Sequence, residues 1–312
     1  MGNIISRSNA EALIPVEYSN EIIKGVLHES AALSLMRKLP NMTRKQRKIP
    51  VLQSLPVAGF VNGDTGLKAV SNAEWGNKTI TAEEIAVIIP IPEAVLDDAD
   101  YDIWAELKPT IVAEFGRVID AAVFFGTDKP ADWPTGIVPE AITKSKTVAL
   151  GTGLDIAEDI NQLMGLVETS GFDVNGFAGD ISIKSSLRGL RDQHGGLIFQ
   201  PSLQAETPST IYAQPVSYVR NNAWAGNTAK LIAGDWNQAV YAIRQDITYK
   251  LLDQAVISDG QGNIIHNLAQ QDMVALRCVM RLGWQLPNPV TQTGGVNRYP
   301  FAVMTPSEGS GE

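Results

Sequence analysis

The sequence predicts an α+β fold, and three stretches carry the prediction. Residues 102–126, DIWAELKPTIVAEFGRVIDAAVFFG, place Ile103, Leu107, Ile111, Phe115, Val118, Ile119, Ala122 and Phe125 at three- and four-residue steps, the spacing of one apolar face on a helix. Residues 49–61 and 79–91 are rich in β-branched residues and proline and read as two long strands. Residues 231–252, LIAGDWNQAVYAIRQDITYKLL, and 272–286, DMVALRCVMRLGWQL, read as strands with a turn at Gly234-Asp235 and a final buried strand.

The helix is the spine of the chain. Asp102 is its expected N-cap and Gly126 its expected stop,. Pro109 removes one backbone bond and is expected to kink or divide it,. At about 1.5 Å per residue the stretch spans roughly 37 Å, close to the width of a compact domain.

Before the spine, residues 1–17 read as an arm, and 18–39 as a helix that Pro40 ends,. Next comes MTRKQRK, where Arg44, Lys45, Arg47 and Lys48 are crowded together. These residues read either as a charged turn or as a contact to phosphates or to an acidic neighbouring subunit. No aromatic residue interleaves them, which argues against base stacking. The two long strands enclose NGDTGLKAVSNAEWGNK, so the expectation is one long hairpin with a loose tip. Strands of about thirteen residues reach about 43 Å, whereas a globule of 312 residues has a radius of gyration near 20 Å by the usual scaling. A two-stranded hairpin is marginal in water by itself, so this one is expected to lie on another molecule. Pro50, Pro56, Pro90 and Pro92 blunt its edges,. After the spine, residues 155–170 read as a helix stopped by Gly171, FAGDISI as a strand, and KSSLRGLRD as a helix before Gly195-Gly196. The tail from Thr305 reads as loose,.

Charge is unevenly distributed. The whole chain is −9, but residues 1–50 carry +4, residues 51–140 carry −10 and residues 141–312 carry −3. Acidic and basic segments of neighbouring copies, or an anionic partner on one surface, are the implied contacts. The single cysteine, Cys278, lies in an apolar run and reads as a core residue. No run approaches the ~18 apolar residues of a membrane span, and no secretory signal opens the chain.

The search for chemistry finds no catalytic, cofactor-binding or metal constellation. His28-Glu29 lacks the second histidine of a metalloprotease helix, and Gly151-Thr152-Gly153 and Gly260-Gln261-Gly262 lack the third glycine of a dinucleotide loop,. No Gly-x-Ser-x-Gly elbow occurs,. The acidic run Asp97-Asp98-Ala99-Asp100-Tyr101-Asp102 lacks the glycine and distal glutamate of an EF-hand, and reads as a helix start that complements the dipole. Trp75, Trp133, Trp224, Trp236 and Trp284 read as core or interface anchors,.

In their order along the chain, these features resemble the major capsid proteins of tailed bacteriophages, the Hong Kong-type capsid fold. Phe125-Gly126 is similar to the family's spine end. LRGLRDQHGGLIF (187–199) resembles its Leu-x-x-Leu-Lys-Asp-x-x-Gly segment, and QPVSYV (214–219) its Gly-x-Pro-Val segment, with Gln214 near a position where glycine is common. AGDWNQAVYAIRQDITYKL resembles its Gly-Asp-aromatic strand pair, and DMVALRCVMRLGWQLPNP its final strand. The resemblance covers nearly the whole chain and implies a division into an N-terminal arm and helix (1–43), an extended hairpin loop (44–92), a peripheral domain with the spine helix (93–145 and 272–304), an axial domain (146–271) and a flexible tail (305–312).

It further implies a structural protein with no cofactor. Such a protein assembles with itself as pentamers and hexamers into an icosahedral head, holds double-stranded DNA non-specifically, and meets a portal and separate scaffolding or decoration proteins. Assembly is expected in the bacterial host cytoplasm, with no membrane step. The family often carries a scaffolding segment ahead of the arm. Here the arm begins close to Met1, so a separate scaffold or none is expected. Arg44, Lys45, Arg47, Lys48, Lys68 and Trp75 are the candidate residues facing a neighbouring subunit or DNA. One branch of the family joins a hairpin lysine to a peripheral-domain asparagine; Lys68 with Asn288 or Asn297 are the corresponding candidates, although no acid stands beside Asn288 in the sequence. An encapsulin-like compartment shares the fold and is the alternative reading.

Overall fold

The structure, a computed structural model, describes residues 30–61, 68, 70–97, 103–188, 210–293 and 295–307. The arm, most of the helix expected over 18–39, the Asp102 cap, Gly195-Gly196, part of the hairpin tip and the end of the tail lie outside the described residues.

The chain enters through a short helix, α1 (Ala31–Leu35), capped by Ser30, whose Oγ accepts from Leu33 N. The expected helix does not reach Pro40. Met36 turns extended, and Arg37–Lys38 form β1. The reason is twofold: in a helix reaching Pro40 the proline ring would clash with the carbonyl of Met36, four residues earlier, and a sheet edge is at hand. Arg37 N donates to Ala239 O at 3.0 Å, Leu39 N to Tyr241 O at 2.8 Å and Met42 N to Ile243 O at 2.8 Å.

β2 (Gln46–Ser54) and β3 (Glu74–Thr81) form an antiparallel two-stranded hairpin. β4 (Glu83–Pro92) follows after a single residue, Ala82, but leaves the hairpin. It pairs with β13 (Met273–Gln285), from Leu282 opposite Glu83 to Met273 opposite Pro92. The expected thirteen-residue partnership of 49–61 with 79–91 is therefore corrected to strands of nine and eight residues, with residues 55–61 outside any strand.

The helix α2 (Glu93–Asp97) leads towards the spine, α3 (Ile103–Asp120). Pro109 does not divide α3, which runs through it unbroken. Beyond Pro109, Ile111, Val112, Phe115 and Ile119 are buried in the main core and offset the one lost backbone bond,. A π-helical turn, Ala121–Phe125, continues the rod and ends at Gly126, whose φ of 69° is left-handed,. The π turn adds a residue to the helical repeat. It rotates Phe124 into the core, where it is fully buried, and leaves Phe125 half-buried, the reverse of what a 3.6-residue repeat implies.

Two larger sheets flank the spine. One has the order β1, β10 (Val240–Leu252), β13, β4. The other has the order β5 (Thr147–Ala149), β14 (Phe301–Thr305), β9 (Leu231–Gly234), β6 (Gly176–Asp180), β8 (Gln214–Val219), β7 (Thr210–Ile211). Period-two alternation shows how each is used. In β14, Phe301 and Val303 face the spine cluster, while Ala302 and Met304 face the cluster under α5 (Ile156–Glu168). In β10, Tyr241 and Ile243 join the spine cluster, while Val240 and Ala242 turn to the hairpin base. Asp155 caps α5 by accepting from Glu158 N at 2.9 Å. Helices α4 (Ile137–Thr143) and α6 (Ile183–Arg188) pack against β14 and β6. A second small hairpin, β11 (Val256–Ser258) with β12 (Ile264–Asn267), projects between β10 and β13.

Strand pairing crosses the expected domain boundaries twice. β10, expected in the axial segment, pairs with β13 along its length, and β14, expected in the peripheral segment, lies inside the six-stranded sheet. Thr305 closes β14 rather than opening a loose tail, and its carbonyl accepts from Leu150 N at 2.9 Å. Cys278 is buried on β13, and burial pushes its thiol up to about 12, so it is an unreactive core residue.

Asp120, at the end of α3, is buried and links three remote segments. Its carboxylate accepts from Ser30 Oγ at 2.7 Å, Ala32 N at 3.0 Å, Ala31 N at 3.1 Å and Asn221 Nδ2 at 2.8 Å. Burial raises its pKa above the ordinary carboxylate value, against the pull of these four donors,. Asp120→Asn is isosteric but points an amide N–H₂ at existing donors. It should destabilise the unassembled subunit by about 2–4 kcal/mol, read as a lower midpoint in urea; an unchanged midpoint would mean that the four bonds contribute nothing net.

Candidate assembly surface

The hairpin β2–β3 is built as a lever with a fixed base and an open top. At the base, Ile80, Met42, Ala82, Val240 and Ala242 form a small buried cluster with Leu39 and Ile49 packed against it. Three polar contacts add to it. Trp133 Nε1 donates to Thr81 O at 3.2 Å, Gln285 Nε2 to Thr79 O at 2.8 Å, and Ala82 N to Lys45 O at 2.8 Å. The approach is close because residue 283 is glycine: a Cβ there would lie 2.3 Å from Thr81 O and 2.8 Å from Ile80 Cγ2. Halfway up, Val290 N donates to Leu52 O at 3.2 Å.

Above that point the side chains turn to solvent. Val57, Phe60, Val70 and Trp75 are exposed, Phe60 completely. Trp75 stands opposite Leu52 in the register, an apolar cross-strand pair on the outer face. Burying such side chains is worth about 1.5–3 kcal/mol each, and nothing among the described residues covers them. Scattered single exposures are ordinary, but a cluster on one projecting element marks an interaction site. Trp75 is recognisable as a candidate anchor in the sequence. Phe60 and Val70 escape that reading, although apolar residues in a Gly- and Asn-rich loop are a signal for them.

The basic cluster is not a free turn. Arg44 and Lys45 lie in bends, but Arg47 and Lys48 are already in β2. Arg47 is half-buried and its Nη1 donates to Pro40 O at 2.7 Å. Lys45 Nζ lies 3.3 Å from Glu83 Oε1. Arg44 and Lys48 are exposed and carry no ion pair among the described residues. The four cations therefore divide into two that brace the hairpin base and two that face outward.

Lys68 is exposed and makes no hydrogen bond or ion pair among the described residues. Asn297 is exposed. Asn288 is half-buried at φ 48°, with Nδ2 donating to Arg298 O at 3.2 Å. No hydrogen bond joins Lys68 to either asparagine among the described residues. Among the described residues no group of three or more His, Cys, Asp or Glu is placed to hold a metal, and no helix is long and apolar enough to cross a membrane.

Known proteins share this architecture. The model of the phage capsid family matches residues 10–290. The chain is 26% identical over 284 residues to the major capsid protein of Staphylococcus phage 80alpha, covering 90% of this chain and 83% of that protein. A solved structure from Microbacterium phage Oxtober96 is 41% identical, covers 97% of this chain and 99% of its own, and superposes with a TM-score of 0.79. One from Mycobacterium phage Cain is 34% identical over 98% of this chain and 99% of its own, with a TM-score of 0.79.

The base of the lever depends on the missing side chain at residue 283. Gly283→Ala should push the hairpin off the sheet and cost about 1–3 kcal/mol. Amide hydrogen exchange should rise at Thr79–Ala82 while α5 stays protected. Uniform protection across both would show that the close approach does not hold the hairpin.

Proposed function

The chain belongs to the phage capsid family, with the Hong Kong-type capsid fold, and on that premise we propose how this subunit builds its shell. The protein is a structural component of the virion capsid and assembles with copies of itself. The finer reading is a head of pentamers and hexamers around double-stranded DNA, put together in the host cytoplasm and closed at one vertex by a portal, with scaffolding or decoration proteins supplied separately. Catalysis has no part in this reading. The work of the protein is geometric.

The observation that carries the reading is the lever itself. A hairpin held at its base by Ile80, Thr81 and Gly283, with Phe60, Val70 and Trp75 in solvent above, is stable as a monomer feature only by virtue of its anchor. Its apolar top gains a partner when it lies over an adjacent subunit. Arg44 and Lys48, outward-facing and unpaired among the described residues, supply non-specific positive charge for an acidic neighbour or for DNA phosphates. Lys68 and Trp75 are carried on the hairpin towards the neighbouring copy, whose Asn288 and Asn297 are the candidate partners for Lys68.

Electron microscopy of the chain produced with its flanking head genes tests the reading: closed particles of uniform size are expected. Joining Leu55 to Ala73 through an Asn-Gly turn removes Val57, Phe60 and Val70 and keeps every paired residue of β2 and β3. That chain should remain soluble and folded, with its urea midpoint within about 1 kcal/mol of the parent, yet form no shells. Normal shells from it would remove the hairpin top from the assembly mechanism.

A further inference from the structure

A cleft of about 250 Å³ opens between the hairpin and the loop that follows β13. Lys78 comes from β3, Lys144 from the end of α4, and Arg298 from the loop; Leu52 and Val296 add apolar wall. None of the three cations has an ion-pair partner among the described residues. Lys144 and Arg298 are half-buried, so their charges meet across a partly desolvated space,. Asn288 also lines the cleft. Its Nδ2 is turned to Arg298 O, and its Oδ1 is buried without a hydrogen-bond partner.

The geometry points to this cleft as the docking site for the acidic segment Asp97–Asp102 of a second copy of the chain. This rests on the shell reading above and names the contact that joins neighbours. The segment is Asp-Asp-Ala-Asp-Tyr-Asp, four carboxylates in six residues, and it lies within the part of the chain that carries −10. Three like charges lining one cleft repel, and an incoming cluster of carboxylates reverses the sign of that interaction,. Tyr101 gives the segment an apolar surface for Leu52 and for Val296, which is 89% exposed. A peptide also brings backbone N–H groups, the donor that the Asn288 Oδ1 lacks. A DNA backbone offers neither a hydrogen-bond donor nor an aromatic ring, so the peptide fits the lining better than DNA does.

Asp97, the described end of the segment, lies far from the cleft of its own chain. β4 and β13 run antiparallel, and the cleft lies beyond the end where Glu83 faces Leu282. Asp97 follows Pro92, at the opposite end, where Glu93 N donates to Asp272 O at 2.9 Å. Ten residues of strand separate the two ends, about 33 Å. The cleft and Asp97 thus sit at opposite ends of one sheet. A contact of this kind is heterologous, head to tail, and repeats around a ring.

Charge exchange tests it. Lys78→Glu with Lys144→Glu alters two cations that make no side-chain hydrogen bond among the described residues. Each chain is produced with its flanking head genes and scored for shells by sedimentation and electron microscopy. The double variant should stay folded and lose shells at least tenfold, as should Asp98→Lys with Asp100→Lys. All four changes in one chain should restore shells. Lys78→Ala with Lys144→Ala, which adds no opposite charge, should give an intermediate loss. Wild-type shell yield from the glutamate pair, or no recovery in the fourfold chain, overturns the docking contact while leaving the shell reading intact. Normal shells that lack DNA overturn it in favour of a phosphate site. If the parent chain forms no shells either, the shell reading itself fails, and this contact with it.

Discussion

The arrangement of this subunit turns on one residue, Thr81, where a single extended run changes sheets. Residues 74–81 belong to the hairpin and residues 83–92 to the four-stranded sheet, with only Ala82 between them. Left to pairing alone, the run would continue as one strand. Three features stop it. Trp133 holds the Thr81 carbonyl from the spine side, Gly283 leaves room for the backbone to press against the sheet, and Ile80 is fully buried beneath. The hairpin therefore leaves the body at an angle set by the core. A projecting element in a shell must have such a fixed exit, because a loose hinge would divert the binding energy of its apolar top into ordering.

How much of this is legible in the sequence depends on the range of the interaction concerned. The spine, its stop at Gly126, the Asp155 helix and the buried strand around Cys278 follow from local periodicity and capping, and all are present. The change of sheet at Thr81 is not local. Residues 79–91 look alike in composition on both sides of it, and the cause lies at Trp133 and Gly283. The same holds for Met36: helix periodicity continues past it, but Ala239 and Tyr241 offer a sheet edge and the chain takes it. At Phe124 the local rule itself misleads, because a π turn shifts the repeat by one residue,. For the assembly surface, the cluster at Arg44–Lys48 is conspicuous because its charges are adjacent in sequence, whereas Lys78, Lys144 and Arg298 come together only through the fold.

That contrast explains why the conspicuous basic cluster is partly taken up inside the subunit. Lys45 and Arg47 are tied to Glu83 and to the Pro40 carbonyl at the hairpin base. An exposed ion pair such as Lys45–Glu83 contributes little to stability, but at a hinge it resists rotation. Charge density along the sequence is a poor guide to free charge on the surface. Lys78, Lys144 and Arg298 in the cleft have no ion-pair partner among the described residues, and on the proposal above such unanswered charge is what recruits a neighbour.

The placement of that cleft bears on how copies meet. A self-complementary patch would pair two subunits and stop. On the docking contact proposed above, the cleft at one end of β4 and β13 takes from a neighbour the acidic segment that begins at Asp97, at the other end. A dimer would still have one cleft and one acidic segment free, and only a closed ring uses every end. In that arrangement the apolar top of the hairpin would strengthen closure: charge would set the order of neighbours, burial of the exposed Phe60, Val70 and Trp75 would supply most of the adhesion, and the rigid exit at Thr81 would keep the two in register. Ring size is then decided by the angle between successive subunits, which a shell made of both pentamers and hexamers must be able to vary. A salt-screened contact between long Lys side chains and short Asp side chains tolerates that variation better than a close-packed one.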